Sequence, residues 1–497
     1  MKNKFLNTKY IVILLTGSVL FLFLSYEILG RWFTDDAFIS FRYAKNFLDG
    51  HGLVFNQGEY VQGYTNFLWV IMLALLKLFH IEFTTSSILI NCFSYCALSI
   101  VLFAFFKRLY NDQQNTFYVL ASLSVISSPN ILAWTTGGGL EGVLFLFMLT
   151  LSFYLLFYRN PVIITSLLFL LTTLIRPEGL LFFFFALIYL RFIKRTDNKT
   201  LLKFFSFYIL LLAVYLLWSF IYYGSILPNT FYSKVSISLR GLQAGLHYIY
   251  RFFMSSPYLL MFLLIVLIGY ETQNKEIKFF FLVSIVYIIY LAIIGGDFMF
   301  AFRFFLPVMS ILFIIMMSGI SQLSERIGDK NHLHGITYAI LLLIIMYNIF
   351  SLSFFLSYKT EIRRYKMIGG GKILARYLND HYPSNYTIAS SGIGALGFYS
   401  NMKILDVLGL TDMQVAENGI NGYDEIYSHG KSDVDYIMKR RPEIIVFGMS
   451  PGVKEPVRFA EKEIYRQRTF KKDYKYVEEV LNFDTLIFYA RKDVLRK

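Results

Sequence analysis

Apolar residues run through this chain in long unbroken blocks. They show neither the two-residue alternation of half-buried strands nor the single stripe of a surface helix. A block of about 20 apolar residues is the length that crosses a bilayer. Such blocks predict spanning helices near 10–29, 86–106, 116–134, 140–158, 161–175, 177–193, 202–222, 255–270, 278–294, 304–320 and 334–356. The block at 66–80 is shorter and carries Lys77 and His80, so it reads as an interfacial or re-entrant helix inside a long first loop, 30–85. Beyond residue 360 the pattern changes. Lys372–His381 and Asp433–Arg440 have helical spacing, Tyr386–Ser390 and Glu443–Met449 read as short buried strands, and Tyr474–Leu481 with Thr485–Arg491 as a hairpin. The expected architecture is therefore an α-helical polytopic membrane protein with about 11 transmembrane helices, residues 1–358, followed by a small α/β domain, residues 359–497.

Composition supports this class. The 497 residues are 56% hydrophobic and only 16% charged, with 52 Phe and 37 Tyr, too apolar for a soluble globular chain and rich in the aromatics that sit at lipid interfaces. The net charge of +14 is explained by helix orientation and not by nucleic acid. Lys2, Lys4 and Lys9 place the N-terminus in the cytoplasm, and Lys107, Arg108, Arg159, Arg191, Lys194, Lys275, Arg326 and Lys330 mark the other inside loops. The first apolar block is long and lacks a small-residue cleavage site, so it reads as a first spanning helix and not a removed signal peptide. In this register the first loop, the segments around Glu141 and Arg176–Glu178, residues 223–254, Gly295–Arg303 and the C-terminal domain all face the outside. Cys92 and Cys96 share one helix face and read as small apolar packing residues.

The polar exceptions gather in those outside segments, where charge near a membrane is kept for function. Asp35 and Asp36 open a helix whose N-cap is Thr34, and a carboxylate there can act as a general base. His51, Tyr64 and Asn66 follow in the same loop. Glu141 stands at a helix start after a glycine run, Arg176 and Glu178 flank Pro177, Asn229 and Lys234 lie in Pro228–Lys234, and Asp297 precedes Arg303. Arg42, Arg176, Lys234 and Arg303 are the cations suited to a phosphate, Arg as a bidentate donor and Lys as a point charge. No ligand spacing demands a metal, and the acidic pair is where a divalent cation would fit. Gly392-Ile393-Gly394-Ala395-Leu396-Gly397 has the spacing of a dinucleotide fingerprint, but in an outside domain it reads as tight turns.

Three runs, Asp35–Tyr43, Gly50–Asn56 and Gly63–Trp69, resemble the first outside loop of the mycobacterial terminal arabinofuranosyltransferases, which are GT-C glycosyltransferases. The resemblance continues through Gly139-Leu140-Glu141, Arg176–Gly179, Pro228–Lys234, Gly296–Met299 and Leu405–Asp412. It implies a sugar donor carried on polyprenyl phosphate, an envelope glycan or glycolipid acceptor, and chemistry at the outer face of the bacterial cytoplasmic membrane. By position, Asp35 or Asp36 would be the base of an inverting transfer. Arg42, Arg176, Lys234 and Arg303 would hold the donor phosphate. His51, Tyr64, Asn66, Glu141, Glu178, Asn229 and Asp297 would position substrate. The rival reading is a flippase or transporter of lipid-linked sugars, and a third is a glycan-binding scaffold of the envelope. A transporter predicts charges along the helices and internal repeats. No repeat is evident, and the charges gather in loops, which favours the enzyme.

Overall fold

A computed structural model describes residues 8–110, 114–159, 161–234, 238–327, 330–354, 368–422, 431–449, 451–481 and 484–495. Lys2, Lys4 and the expected domain boundary at 358–359 lie outside them. The chain forms two compact units, each discontinuous in sequence. The first comprises Met1–Arg31, Thr84–Val214 and Leu239–Lys359, and the second Trp32–Phe83, Tyr215–Ser238 and Thr360–Lys497.

The first unit is helical. Six helices among the described residues are long and apolar enough to cross a membrane, or up to eight if each of two bent pairs counts as one span. The protein is a multi-pass membrane protein. The six are α1 (Thr8–Leu29), α4 (Phe83–Leu109), α10 (Asn198–Tyr223), α14 (Lys275–Ile293), α15 (Leu306–Ile327) with the 3-10 turn before it, and α16 (Lys330–Phe354). The expected span 116–134 is a bent pair. Helix α5 (Asn115–Ile126) meets α6 (Pro129–Thr136) at 63°, because Pro129 can begin a helix but cannot continue one. The segments at 140–158, 161–175 and 177–193 are the shorter apolar helices α7 (Gly142–Tyr158), α8 (Val162–Ile175) and α9 (Gly179–Ile188), the last extended by a π-helical turn. Every residue from Phe305 to Ile320 is buried, as expected of a central helix apolar on all sides.

Among the described helices of the first unit, one was not expected. Residues 239–255, read as loop, form α12 (Leu239–Ser255), which meets α13 (Pro257–Ile268) at 96°. Arg240, Gln243, His247 and Arg251 dilute its apolar content below that of a span, yet Gly241, Gly245, Tyr248 and Phe252 form a buried face at helical spacing. Gly245 lets α12 lie directly on α14. A Cβ there would fall 2.3 Å from the carbonyl oxygen of Ala292.

The second unit joins the first-loop helices α2 (Asp35–Leu48) and α3 (Phe67–Leu78) to the C-terminal α/β fold. The C-terminal sheet has the order β2-β1-β5-β7-β6. Here β1 is Thr387–Ser390, β2 Lys403–Asp406, β5 Ile444–Val446, β6 Tyr474–Leu481 and β7 Asp484–Arg491. Strand β1 pairs in parallel with β2 and β5, and the hairpin β6–β7 adds antiparallel through β7. Its core contains Ala389, Leu405, Ile445, Phe447, Ile464, Phe470 and Tyr489. The free edge of β2 is closed by one side chain. The Asn56 amide donates to the Ile404 carbonyl at 2.8 Å and accepts from the Ile404 N–H at 3.0 Å, as a neighbouring strand would.

Past β2, Asp406 shapes the next turn. Its carboxylate accepts from the Leu408 N–H at 2.9 Å, the Thr411 N–H at 2.8 Å and the Thr411 hydroxyl at 3.2 Å. Burial outweighs these bonds and pushes Asp406 up to about 6. A carboxyl whose affinity for protons rises on folding stabilises the fold below that pH, and the contribution is lost as pH climbs through 6. We expect the thermal stability of wild type relative to Asp406→Asn to rise by about 1 kcal/mol from pH 7 to pH 5. Paired melting curves check this, and a difference that is flat or opposite in sign would contradict it.

Candidate functional site

In the first unit, five of the charged residues singled out in the sequence come together. Pro177 forces the residue before it out of helical geometry, so α8 stops and Arg176 turns extended, with φ −152° and ψ 136°. Its guanidinium donates to Glu141 at 2.9 Å and to Glu178 at 2.7 Å. Nearby, Arg303 Nε donates to Asp297 at 2.9 Å. The electrostatic pull of Arg303 also reaches Glu178, and both guanidiniums stand over the Phe304 ring, at 5.6 Å for Arg176 and 5.0 Å for Arg303. The result is an alternating row, Glu141, Arg176, Glu178, Arg303, Asp297, with three acids against two cations. All five side chains are at most 13% exposed. The Arg176 Nε is buried with no hydrogen-bond partner among the described residues.

The backbone leading to Arg303 is held in an uncommon shape. Ala301 and Phe302 both lie in the left-handed region, at φ 57° and 46°, which costs energy for residues with a Cβ. The surroundings fix it there. The Ala301 carbonyl accepts from Asn130 Nδ2 at 3.2 Å and Trp134 Nε1 at 3.3 Å. The Phe304 N–H donates to the Tyr248 hydroxyl at 3.1 Å, and its carbonyl accepts from Tyr287 at 3.0 Å. Four neutral side chains that the sequence reading passed over thus aim Arg303. The one available signal was the polar ends of Asn130, Trp134, Tyr248 and Tyr287 inside otherwise apolar segments.

In the second unit, the acidic pair divides. Asp35 Oδ2 accepts from the Gly394 N–H and Oδ1 from the Ala395 N–H, both at 2.8 Å, at the start of helix α18 (Gly394–Tyr399). Burial raises the proton affinity of the carboxyl, and the two amide bonds pull it partly back. Asp36, one position on, is half-buried. The glycines of the fingerprint-like stretch serve this packing. A Cβ on Gly394 would lie 1.9 Å from the Asp35 carbonyl oxygen, and one on Gly397 would lie 3.0 Å from the Arg42 guanidinium. Arg42 sits one face-repeat along α2 from Asp35. It donates to the carbonyls of Phe55, Gly397 and Met402 and to Asn56 Oδ1. Burial draws it down to about 10, still charged at neutral pH. Four of its five N–H groups are thereby engaged inside the protein, so its geometry is that of a clamp between α2 and the sheet.

Three more of the sequence-selected residues in this unit, Asn229, Tyr64 and Asn66, make hydrogen bonds within it. Asn229 Nδ2 reaches the carbonyls of Gly409, Leu410 and Asp412. The Tyr64 hydroxyl meets that of Tyr223 at 3.0 Å, and Asn66 exchanges hydrogen bonds with Ser40. His51 is exposed just past α2. Lys234 closes the short helix Asn229–Lys234, and its side chain lies outside the described residues. No group of three or more His, Cys, Asp or Glu suited to a metal ion occurs among the described residues. At the acidic pair each Asp35 oxygen accepts one amide N–H.

Comparison with solved structures concerns the fold. Over 98% of this chain and 99% of theirs, two structures of ArnT from Cupriavidus metallidurans are similar. The one bound to undecaprenyl phosphate has a TM-score of 0.62 at 10% identity, and the apo one 0.54 at 12% identity. The fold is GT-C. At such identity the likeness concerns the fold alone. Residues 357–495 match a family described as Domain of unknown function (DUF8728). No curated protein matches the sequence. Within the GT-C fold the two clusters differ in kind. The row in the first unit is charged and enclosed, whereas in the second unit Asp35 and Arg42 are engaged by backbone groups of α18 and the neighbouring loop.

Two outcomes follow. Arg176→Met would leave Glu141 and Glu178 enclosed without their cation and lower stability by about 3–5 kcal/mol. Adding Glu178→Gln should recover part of that loss in thermal unfolding, and no recovery would argue against the row as a coupled network. Asp35→Ala would strand two amides at about 1–3 kcal/mol. Asp35→Asn, which keeps one acceptor, should lose less, and equal losses would show that the hydrogen bonds are not the cause.

Proposed function

We propose that this protein is a membrane glycosyltransferase. It moves a sugar from a polyprenyl-phosphate donor to an envelope glycan or glycolipid, with inversion, at the outer face of the cytoplasmic membrane. The observation that carries the reading is likeness over nearly the whole chain to a GT-C structure solved with undecaprenyl phosphate. It is joined by an enclosed set of paired arginines in an apolar helical unit. A flippase for lipid-linked sugars would share the donor but needs no base.

In this reading Asp36 is the general base. Support for choosing it over Asp35 is that both Asp35 oxygens hold the amides of α18. Asp36 takes the proton of the acceptor hydroxyl, the oxygen attacks the anomeric carbon, and the polyprenyl phosphate departs with the bonding pair. A phosphate leaving group carries its own negative charge, so cations serve it better than an acid. Arg303 and Arg176 fill that role, pre-oriented by their carboxylates and by the clamped backbone at 301–304. Lys234 is a further candidate cation. Arabinofuranose is the first sugar to try, given the loop resemblance.

The test is transfer in vitro from synthetic polyprenyl-phospho-sugars, the arabinofuranosyl donor among them. Asp36→Asn should lose at least about a hundredfold in kcat at the wild-type melting temperature, and Arg303→Gln a comparable factor together with a lowered melting temperature, because Asp297 is left enclosed without its cation. Asp35→Asn should keep more activity than Asp36→Asn. Full activity in Asp36→Asn would remove the proposed base. Translocation of lipid-linked sugar by a wild type that transfers none would favour the flippase.

A further inference from the structure

The second unit contains a cleft of about 320 Å³ that none of these roles uses. It opens between the C-terminal half of α2, residues 56–57 and the turn 397–403. Its volume is at the low end for small-molecule sites. The floor is rigid, because Arg42, Asn46, Asn56, Gly397 and Met402 are buried and joined by hydrogen bonds or held by the same loop. The rim is different. Lys45, Asp49, Gln57, Asn401 and Lys403 line it and are half-exposed or exposed. The side-chain amides of Gln57 and Asn401 have no hydrogen-bond partner among the described residues. One wall is the Phe398 ring, with the Lys45 ammonium 5.9 Å from its centre.

We infer that this cleft binds an acidic saccharide. Sugar hydroxyls need donors and acceptors within one small space, which two amides, a carboxylate and two ammonium groups supply. The C–H face of a pyranose needs an apolar plane, which Phe398 supplies. The lining carries Arg42, Lys45 and Lys403 against Asp49, and Glu59 pairs with Lys403. The balance stays positive, so a carboxylated or phosphorylated sugar is favoured over a neutral one. The site is separate from the proposed base. Lys45 is nine residues beyond Asp36 on α2, on the opposite side of the helix and about 13 Å along its axis. A glycan held here is gripped away from its reacting end. Naming that glycan the acceptor rests on the glycosyltransferase reading, but the binding itself does not.

The experiment is calorimetric titration of the detergent-solubilised full chain without donor, with trigalacturonate, maltotriose and inorganic phosphate as probes. Wild type should bind trigalacturonate saturably, maltotriose several-fold more weakly, and phosphate too weakly to displace the acidic sugar. Lys45→Glu and, from the other wall, Asn401→Ala should each weaken trigalacturonate about tenfold while leaving the melting temperature and the hydrolysis of donor by water unchanged. Having two variants on separate elements guards against one that fails to fold. Unchanged affinity in both variants would overturn the inference, as would no binding of either sugar. Displacement by phosphate at equal strength would also overturn it, leaving an anion site only. A wild type that binds but transfers nothing would sink the enzyme reading and leave the cleft standing.

Discussion

The second unit depends on how closely α2 can approach α18. Asp35 meets the first turn of α18 and Arg42, seven residues later, meets its last, so two charged side chains on one face of α2 grip both ends of a six-residue helix. Contact this close is open only to glycine at 394. From it follow the placement of loop 53–56, which Asn46 and Arg42 hold by its carbonyls, and the closing of the β2 edge by Asn56. The acid at position 35 is thereby spent on architecture. Its neighbour Asp36 points about 100° away around the helix, so the two adjacent aspartates face different surroundings.

In the first unit the governing constraint is desolvation. Five ionised groups among apolar helices are tolerable only if each has a counter-charge at hydrogen-bond distance, and the alternating order provides it. The odd carboxylate leaves the row formally negative, so a phosphate could join only by drawing on the guanidinium donors and not on surplus charge. That makes geometry more important than net charge. It gives physical sense to the backbone at Ala301 and Phe302, where neutral hydrogen-bond donors hold a costly conformation just ahead of Arg303.

Much of this was legible in the chain. The apolar blocks marked the helices to within a few residues, and the change of pattern after 360 announced the sheet, because both signals are local. The acids and arginines of the first unit were found singly, as polar interruptions at helix ends. Their convergence was not, since Glu141, Arg176 and Arg303 come from segments far apart in sequence. Helix α12 was missed because its polar face lowers the average on which spanning segments are found, although its buried face repeats at helical period. The bond from Asp35 to Gly394 spans 359 positions, and nothing local forecasts it. The glycine spacing at 392–397 was visible, but a motif states that a backbone must be approached and not by what.

The discontinuity of the second unit has a consequence for how the protein is made. Helix α2 emerges early from the ribosome, and its partners at 394–397 emerge late, more than 340 residues later. Throughout that interval Asp35 and Arg42 lack the amides and carbonyls that hold them in the finished fold, and the β2 edge does not yet exist to be closed by Asn56. Contacts between such distant positions are slow to form and leave incomplete states exposed to wrong partners. The polar character of α2, unusual in so apolar a chain, lets the waiting segment remain solvated in the meantime. A chain that ends before the sheet would carry every spanning helix and still be unable to fold its first loop.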